Sequence, residues 1–385
     1  MSEILPFILF LTVFITLYGL LHYYFYRKLK SSVILDSIYQ KLILVLLFFL
    51  FIAPILVNVS IRYGFHLIST IIAYPGYIWM GALFLFFSIH LLMDIYGIII
   101  YIFSRIFSTA LLKLRPGNKP SLLITGLMVV GIIFHGGFEA ENIGVEKILF
   151  ETQKLPPEIR SLRIVQISDT HFSNINSVRL ARKIVDKING LNPHIIVSTG
   201  DFIDRGLKEK GKVAALFRSI KVPYGKYATT GNHEFYGGIT ESVEFMEKAG
   251  FKMLRNEGIT VGDMVNIAGV DDPAAKRFGL DPSVSEDEIL KRFSRKKLTI
   301  LLKHQPRINK KSVGAFDLQL SGHTHNGQIF PFTLITLIFF HYKTGLFMLG
   351  KDSYLYVSRG AGTWGPPVRF LSPPEVTLIE FRREG

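Results

Sequence analysis

Cysteine is absent from the 385 residues of this chain. Disulfide bonds and thiolate metal sites are therefore excluded, because both need cysteine sulfur. The absence leaves the compartment open, since a chain without thiols suits oxidising and reducing surroundings alike.

Acidic residues are the scarcer charge, with 30 Asp and Glu against 44 Lys and Arg, which gives a formal net charge of +14. A positive balance of this kind suits a nucleic acid or an anionic membrane surface. The sequence has no basic helix and no aromatic stacking signature typical of a nucleic-acid module. We therefore expect no nucleic-acid partner, and we interpret much of the charge as solvated surface and topology signal.

Charged residues are also rare in four apolar runs among the first 140 residues. Each run approaches the ~20 residues that a spanning helix needs, which predicts a four-helix transmembrane region and makes the lipid bilayer a partner. A cleavable signal peptide is a poor explanation, because the runs follow one another and no basic segment precedes the first. The predicted spans are 4–26, 42–58, 78–103 and 122–138.

Two details of this region need separate interpretation. The apolar segment 66–75 is short and is followed by Gly76, so we predict an interfacial or re-entrant piece, with extension of the third span as the alternative. His90 and Asp94 are ionisable residues within the third span, where charge generally indicates function. Their spacing lets them pair on one helix face, and helix packing is the role that we favour.

Basic residues between the predicted spans give the orientation. The loop between the second and third spans contains only Arg62, whereas the other two loops are rich in Lys and Arg. The positive-inside rule places these two basic loops in the cytoplasm. We therefore expect a multi-pass protein of the cell membrane whose C-terminal domain is extracytoplasmic. The basic loop residues are Arg27, Lys28, Lys30, Lys41, Arg105, Lys113, Arg115 and Lys119.

The pattern changes from about Glu141 to short apolar runs that alternate with amphipathic stretches. We interpret 141–160 as a linker and 161–385 as one domain, and the alternation of strands with helices predicts an α/β layered fold. Helical spacing is present in 178–188, 242–249 and 287–293. The predicted strands are 162–168, 194–199, 225–230, 265–270, 298–302, 318–321, 354–358 and 376–381.

Five polar clusters each follow one of these predicted strands. In open α/β sheets, ligands gather beyond the carboxyl ends of the strands. The side chains suffice to hold two divalent ions, and their imidazole groups suit Mn, Fe or Zn better than Mg alone. Two such ions can clamp the attacking and leaving oxygens of a phosphoryl displacement, which points to hydrolysis of a phosphate ester. The clusters contain Asp169 and His171, then Asp201 and Asp204, then Asn232, His233 and Glu234, then His304, and finally His323 and His325.

The ordered clusters resemble the calcineurin-like metallophosphoesterase superfamily, whose pattern is D-x-H, G-D-x-x-D, G-N-H-E/D, H and G-H-x-H. All five elements occur here in order. The resemblance implies a domain with two packed mixed β-sheets and a dinuclear metal site bridged by the catalytic Asp201. It assigns Asp169, His171, Asp201 and His325 to one metal, and Asp201, Asn232, His304 and His323 to the other.

Three further residues of the clusters have expected roles, and the role of His233 is the one that the resemblance implies. His233 is expected to be a non-ligand that stabilises charge or protonates the leaving oxygen, while a water or hydroxide bridging the metals acts as the nucleophile. Asp204 is expected either to orient a ligand or to pair with Arg205 in a turn. Glu234 is expected to anchor its loop rather than to perform acid–base chemistry.

Two subgroups of the superfamily match different segments. Residues 200–206 look like the serine/threonine protein phosphatases, whereas 322–328 and 358–367 look more like membrane-anchored bacterial metallophosphoesterases, in which Asn326 is usually glycine. Some relatives of the latter cleave the pyrophosphate of a lipid-linked UDP-glucosamine. By analogy, this resemblance supports a lipid-linked phosphoester such as UDP-diacylglucosamine.

Three further interpretations concern the surroundings of the clusters. Residues 331–349, which we call the apolar lip, are predicted to dip into the bilayer beside the active site, with a buried strand or helix as the alternative. Arg359 or Arg369 is a candidate for binding substrate phosphate, since guanidinium groups match phosphate oxygens. His194 is expected to be structural.

The sequence therefore predicts a membrane-anchored, metal-dependent phosphoesterase that hydrolyses a phosphoester or pyrophosphate bond. One alternative is a membrane sensor or transporter that binds metal without turnover. Another is a tethered nuclease or cyclic-nucleotide phosphodiesterase. No protein partner follows from the sequence.

Overall fold

A computed structural model of the chain describes residues 4–175, 177–350 and 352–384. The described residues form two compact units. The first comprises the chain up to Phe138 together with Gly365–Val368, and the second comprises Glu139–Trp364 and the chain from Arg369.

The first unit is helical. Within the described residues, three of its helices are long and apolar enough to cross a membrane, with window hydropathies of 3.0, 2.2 and 1.9 for the second to fourth helices. The first helix contains the predicted span 4–26 but is not among these three, so its crossing of the membrane stays a prediction. The helices are α1 (Ile4–Ser32), α2 (Ser37–Arg62), α3 (His66–Ile106) and α4 (Asn118–Glu141).

The segment 66–75 is not a separate interfacial piece, because α3 runs through it without a break. The alternative of an extended third helix is therefore the right one. A proline removes one backbone hydrogen bond from a helix. Pro75 nevertheless lies inside α3 and does not end it. The next residue allows close packing, since a Cβ on Gly76 would lie 2.8 Å from Ala53 Cβ of α2.

His90 and Asp94 contact different helices. His90 Nδ1 lies 3.0 Å from Thr125 Oγ1 of α4. Asp94 accepts hydrogen bonds of 2.6 Å from Tyr24 and from Lys28, both of α1. Each polar group therefore ties α3 to another helix, which agrees with the favoured helix-packing role.

The second unit consists of two six-stranded sheets flanked by helices, and it confirms the predicted α/β fold with two mixed sheets. The strands are β1 (Gly144–Thr152), β2 (Ser161–Ile167), β3 (Ile195–Ser198), β4 (Lys226–Ala228), β5 (Lys252–Met253), β6 (Glu257–Val261), β7 (Val265–Gly269), β8 (Leu298–Leu302), β9 (Leu318–Ser321), β10 (Gly345–Gly350), β11 (Ser353–Val357) and β12 (Glu375–Arg383). The helices are α5 (Ser177–Leu191), α6 (Lys210–Ser219), α7 (Asn232–Gly237), α8 (Ile239–Lys248), α9 (Glu286–Lys291) and α10 (Phe332–Phe339).

The order of strands is β1-β12-β2-β3-β4-β5 in the first sheet and β10-β11-β9-β8-β7-β6 in the second. The strands β2, β3 and β4 are parallel neighbours, and so are β8 and β9. Antiparallel pairs occur between β12 and β2, between β6 and β7, and between β10 and β11. Both sheets are therefore mixed.

Alternating side chains divide between two cores. Ile164 of β2 and Ile300 of β8 belong to one buried cluster, so the inner faces of the sheets pack on each other. On the outer face of the first sheet, Val165 joins Ile184 of α5 and Phe245 of α8 in a second cluster. Since both faces are covered, the central strands β3, β8 and β9 are buried along their whole length.

The segment 141–160, which the sequence assigns to a linker, contains β1. This strand pairs with β12 in parallel along nine residues, from Gly144↔Glu375 to Thr152↔Arg383. Its side chains are half-buried or exposed, and it includes Glu146, Lys147 and Glu151. A polar edge strand of this kind is hard to predict from the sequence, because only part of its surface faces a core.

Candidate metal centre

The five polar clusters all follow strands that end at the same edge of the domain. In the first sheet, β2 leads to Asp169 and His171, β3 leads to Asp201, and β4 leads to the cluster at 232–234. In the second sheet, β8 leads to His304 and β9 leads to the histidines at 323 and 325. Loops from both sheets meet, because His304 Nε2 lies 3.2 Å from Asp201 Oδ2.

One group of three side chains can hold a metal ion beside β2. Ligand atoms of Asp169, His171 and His325 all lie within 4.8 Å of one another, and all three residues are buried. His325 Nε2 is 3.1 Å from His171 Nε2 and 3.5 Å from Asp169 Oδ1. The structure therefore brings together three of the four residues predicted for the first metal.

A second group contains Asp201, His304 and His323, whose ligand atoms also lie within 4.8 Å of one another. His304 Nε2 is 3.0 Å from His323 Nδ1 and 3.2 Å from Asn232 Oδ1. All four residues predicted for the second metal are thus close together.

Asp201 lies between the two groups. Its Oδ2 atom is 3.2 Å from His304 Nε2 and 3.7 Å from His171 Nε2. Its other oxygen, Oδ1, accepts a 2.8 Å hydrogen bond from the backbone N–H of His233. His233 also belongs to a third candidate group with His171 and Asp201.

The donor set fits divalent cations. Two pairs of imidazole nitrogens face each other at about 3 Å, namely His171 with His325 and His304 with His323. When both nitrogens of a pair are unprotonated, their lone pairs repel at this distance, and a cation between them converts the repulsion into coordination. Nitrogen with carboxylate oxygen is the ligand set typical of Mn, Fe or Zn.

The second ring nitrogens of two histidines are fixed by acceptors. Asp204 Oδ1 lies 2.9 Å from His171 Nδ1, and the carbonyl oxygen of Thr199 lies 2.8 Å from His304 Nδ1. An acceptor at Nδ1 favours the tautomer whose Nε2 lone pair is free. In both residues this Nε2 atom is the one directed toward Asp201, as a metal ligand requires.

Glu234 holds the backbone around Asp201. Its carboxylate accepts hydrogen bonds from the backbone N–H groups of Gly231 at 2.6 Å, Asp201 at 2.9 Å and Phe202 at 2.8 Å. These contacts match the predicted role of anchoring the loop.

The backbone of the site is strained. The φ angles are 51° at Asp169, 43° at His171, 51° at Asp201, 71° at His323 and 48° at His325. Left-handed conformations of non-glycine residues cost on the order of 1–3 kcal/mol each, and they cluster at functional sites because surrounding structure enforces them. One such constraint is the 3.1 Å hydrogen bond from the Asp169 amide to the Gly200 carbonyl.

Two glycines of the motifs give the carboxylates room. A Cβ on Gly231 would lie 2.2 Å from Asp201 Oδ1, and a Cβ on Gly322 would lie 2.1 Å from Asp169 Oδ2. Neither position can accept a side chain unless the carboxylate moves. Close approach of backbone to carboxylate is thus the physical reason for glycine at these positions.

Burial and mutual charge set the ionisation of the acidic groups. Burial raises the pKa of Asp169, and the neighbouring Asp201 carboxylate adds to the rise. For Asp201 itself, the positive charges of His304 and His233 outweigh burial and hold the pKa well below its usual range. The charge of Asp201 in turn outweighs burial at His304 and raises the pKa of that imidazole well above its usual value.

The remaining histidines divide into two kinds. Burial, together with the charge of His304, lowers the pKa of His323 to about 3, and burial with His171 and Arg369 lowers the pKa of His325 well below its usual range. Both are therefore neutral, which is the form that binds metal. At His233, the charges of Asp201 and Asp204 outweigh burial and raise the pKa to about 9.

The two arginines proposed for substrate phosphate differ in their surroundings. Arg369 is fully buried, and its guanidinium donates to the carbonyls of Gly362 and Ser372 and contacts His325 Nδ1. Arg359 forms ion pairs with Glu375 at 2.5 Å and with Glu146 at 3.2 Å. The prediction for Arg369 was wrong, because the sequence does not reveal the acceptors that surround its guanidinium. The side chain of Arg359 is 25% exposed, and its role in binding phosphate stays a prediction.

Sequence analysis missed Asp272, which follows β7 and is buried. Its Oδ2 accepts a 2.9 Å hydrogen bond from Gln305, the residue after His304. The same signal that located the other clusters, an acidic residue just beyond a strand, was present here. Burial raises its pKa, and the nearby Asp201 carboxylate adds to the rise while the charge of His304 opposes it.

A two-sheet α/β domain that gathers histidines and carboxylates at one edge belongs to the class of metal-dependent hydrolases. Comparison with protein families matches residues 162–327 to the calcineurin-like phosphoesterases. The chain belongs to this metallophosphoesterase family, as its sequence motifs predicted, and is a hydrolase of that family.

Three relatives illustrate the match. An uncharacterized metallophosphoesterase of Aquifex aeolicus is 39% identical over 252 residues, which cover 64% of this chain and 95% of that protein. An uncharacterized metallophosphoesterase of Campylobacter jejuni is 28% identical over 382 residues, covering 98% of this chain and 99% of that protein. A transmembrane protein with metallophosphoesterase domain from Danio rerio is 29% identical over 278 residues, which cover 68% of this chain and 62% of that protein.

Proposed function

We propose that this protein hydrolyses a phosphoester or pyrophosphate bond at a dinuclear metal site formed by the two predicted ligand sets, with Asp201 as the bridging ligand. The position of one atom carries the proposal. Asp201 Oδ2 lies near His304 of one candidate group and near His171 of the other. A carboxylate shared by two groups of ligands is what a pair of closely spaced ions requires.

Two divalent ions bound here would polarise the phosphoryl oxygens and lower the pKa of water at the site. The protein's own residues supply orientation and a proton. Asp204 and the Thr199 carbonyl orient His171 and His304, and Glu234 holds the Asp201 loop. The side chain of His233 is 18% exposed, so its imidazole can reach a substrate and give a proton to the leaving oxygen.

We further propose a membrane-anchored arrangement with a transmembrane region at 1–140, a linker at 141–160 that includes β1, and a catalytic domain at 161–385. In this arrangement α1 is the fourth span, and the catalytic domain lies outside the cytoplasm. The basic loops that precede α2 and α4 support this orientation.

We propose a lipid-linked phosphoester as the substrate, and UDP-diacylglucosamine is a suitable test compound. Three candidate membrane spans support a lipid substrate, because they keep the enzyme at a bilayer. Tethering raises the effective concentration of any substrate that is confined to the same membrane.

The bridging role of Asp201 is testable with the purified full-length protein and manganese. We expect Asp201→Asn to lower hydrolysis of bis-p-nitrophenyl phosphate by at least about 100-fold, since even groups that only support metal ligands are worth about 10–100-fold. Metal content per protein, measured by elemental analysis, should fall in the same variant.

Asp281→Asn is the matched control, because this aspartate is exposed. Retained turnover in Asp201→Asn would overturn the bridging assignment. Bound metal without hydrolysis of any phosphoester by the wild type would favour a metal-binding sensor or transporter. Hydrolysis of nucleic acids or cyclic nucleotides, with no action on lipid phosphoesters, would favour a tethered nuclease or phosphodiesterase.

A further inference from the structure

The helix α10, within the apolar lip, begins seven residues after His325. Residues 329–340 contain no charged side chain. A stretch of this composition on the surface of a soluble domain would normally be packed against a core.

The polarity of α10 is reversed relative to that of a surface helix. Its two threonines, Thr333 and Thr336, are each only 7% exposed, and Thr333 Oγ1 donates a 2.8 Å hydrogen bond to the Asn326 carbonyl. Its exposed side chains are instead apolar, with Ile338 at 78% and Phe339 at 70%. The other exposed apolar residues of the helix include Leu334, Ile335 and Leu337.

A helix that turns its hydroxyl groups inward and its hydrocarbon outward is suited to a hydrocarbon environment rather than to water. Removing exposed apolar side chains of this size from water is favourable. The outward face therefore favours burial in an apolar phase.

The end of α10 lies beside the metal centre. The ring of Phe340, the residue after the helix, packs against the ring of His323 with 5.1 Å between centroids. The guanidinium of Arg307 also lies over the Phe340 ring, 5.4 Å from its centroid. Whatever covers α10 is thus close to the mouth of the site.

The charge of the surrounding residues indicates which partner covers α10. Residues 318–351 include no aspartate or glutamate. The basic residues Arg307, Lys310 and Lys311 precede this stretch and are exposed, and Lys343 follows α10. An apolar face with a cationic border and no acidic residue complements an anionic lipid surface, in which phosphate groups border the hydrocarbon.

We propose that α10 is a membrane-docking helix that lies at the boundary between headgroups and acyl chains of an anionic bilayer. The mouth of the metal centre then faces the lipid headgroups. This assignment concerns a surface and its partner, and it stands independently of the reaction proposed above.

The absence of cysteine allows a direct test, because a single introduced thiol can be labelled specifically. The full-length protein carrying Ile338→Cys is labelled with bimane and reconstituted in vesicles of phosphatidylglycerol and phosphatidylcholine that contain doxyl-labelled lipid. We expect doxyl lipid to quench the label at position 338 at least twofold more than at a control position. A helix at the acyl boundary is within collision range of the doxyl groups.

The control is Asp263→Cys, in the turn between β6 and β7, which precedes β7 and so lies at the sheet edge opposite to the metal centre. Its side chain is 89% exposed. Replacing phosphatidylglycerol with phosphatidylcholine alone should reduce quenching at position 338, since the cationic border loses its counter-charge.

Equal quenching at positions 338 and 263 would overturn the proposal. So would crosslinking of Ile338→Cys between two protein molecules without quenching, because that result would assign the surface to a second copy. As an independent arm, the double substitution Ile338→Glu and Phe339→Glu is combined with a bimane label at Leu337→Cys. The two glutamates should abolish the quenching of this label by doxyl lipid. Circular dichroism should show an unchanged fold, because both side chains are exposed.

Discussion

Asp204 shows how one side chain can organise a catalytic site at the scale of the single residue. Its Oδ1 atom is 2.9 Å from His171 Nδ1 and 2.7 Å from His233 Nδ1. Both histidines are therefore oriented by the same oxygen, although one is a proposed metal ligand and the other the proposed acid. Their charges outweigh burial and hold the pKa of Asp204 well below its usual range, so the carboxylate is ionised.

We predict that Asp204→Asn lowers kcat for bis-p-nitrophenyl phosphate by about 10–100-fold, the range typical of groups that orient metal ligands. The asparagine side chain has one acceptor oxygen and an NH2 group. It lacks the negative charge with which the carboxylate stabilises the two imidazole donors. Metal affinity, measured by titration of the metal-free protein, should weaken at the same time.

Asp281→Asn again provides the control for this residue. Because Asp204 is proposed as a positioning residue, its loss should change kcat and metal affinity more than KM. A variant with wild-type kcat and metal affinity would show that the two hydrogen bonds are incidental.

At the scale of elements, Lys226 ties three secondary structures together. It lies in β4, and its buried Nζ donates to the carbonyl of Phe217 in α6 at 2.5 Å and to that of Ala249, which follows α8, at 3.4 Å. Burial lowers its pKa to about 8, with smaller contributions from Lys221 and Arg218. The folded state therefore holds the Lys226 proton less tightly than the unfolded chain does.

The sign of the resulting pH dependence follows from this difference. Between pH 8 and the ordinary lysine value of 10.5, the unfolded chain binds more protons than the folded protein. The free energy of unfolding consequently rises with pH across this window, and the full penalty applies below pH 8.

We predict that the wild-type protein gains at most about 3 kcal/mol of stability relative to Lys226→Met between pH 8 and 10.5. Thermal midpoints of the two proteins, measured in the same detergent at several pH values, give the comparison. Comparison with the variant removes the contributions of all other titrating groups, because both proteins share these groups. Parallel midpoints over the whole range would contradict the lowered pKa.

At the scale of the whole molecule, the orientation of the membrane region determines on which side of the membrane the active site works. The described structure contains three helices that are long and apolar enough to cross a membrane, and α1 is the proposed fourth. With four spans the N-terminus and the catalytic domain share one side, whereas three spans place them on opposite sides. The basic loops before α2 and before α4 place the domain outside in either case, because α4 crosses the membrane once after the second of these loops.

We predict that alkaline phosphatase fused after the C-terminus is active and that green fluorescent protein at the same place is dark, because each reporter works on only one side of the membrane. A fusion after Lys119, in the predicted cytoplasmic loop, is the control and should give the reverse result. A fluorescent C-terminal fusion would show that the catalytic domain is cytoplasmic and would overturn the proposed orientation.

Much of the molecule could be predicted because the relevant signals are local. Strands β2, β3, β8 and β9 are short, mostly apolar runs, and their length and composition identify them without knowledge of their neighbours. Strands β1 and β10 escaped notice, since one is polar and the other lies within the apolar lip. Pairing partners supply the stability of such strands, and these partners are distant in sequence.

The sequence by itself determined the kinds of ligand available, their order, and their places after apolar strands, because the chemistry of metal binding restricts residue type and spacing. Only the tertiary structure decided that Asp204 serves two histidines, that Arg369 is buried among carbonyls rather than facing substrate, and that α10 turns its threonines inward. Each of these depends on which atoms surround a side chain, and folding alone brings those atoms together from distant parts of the chain.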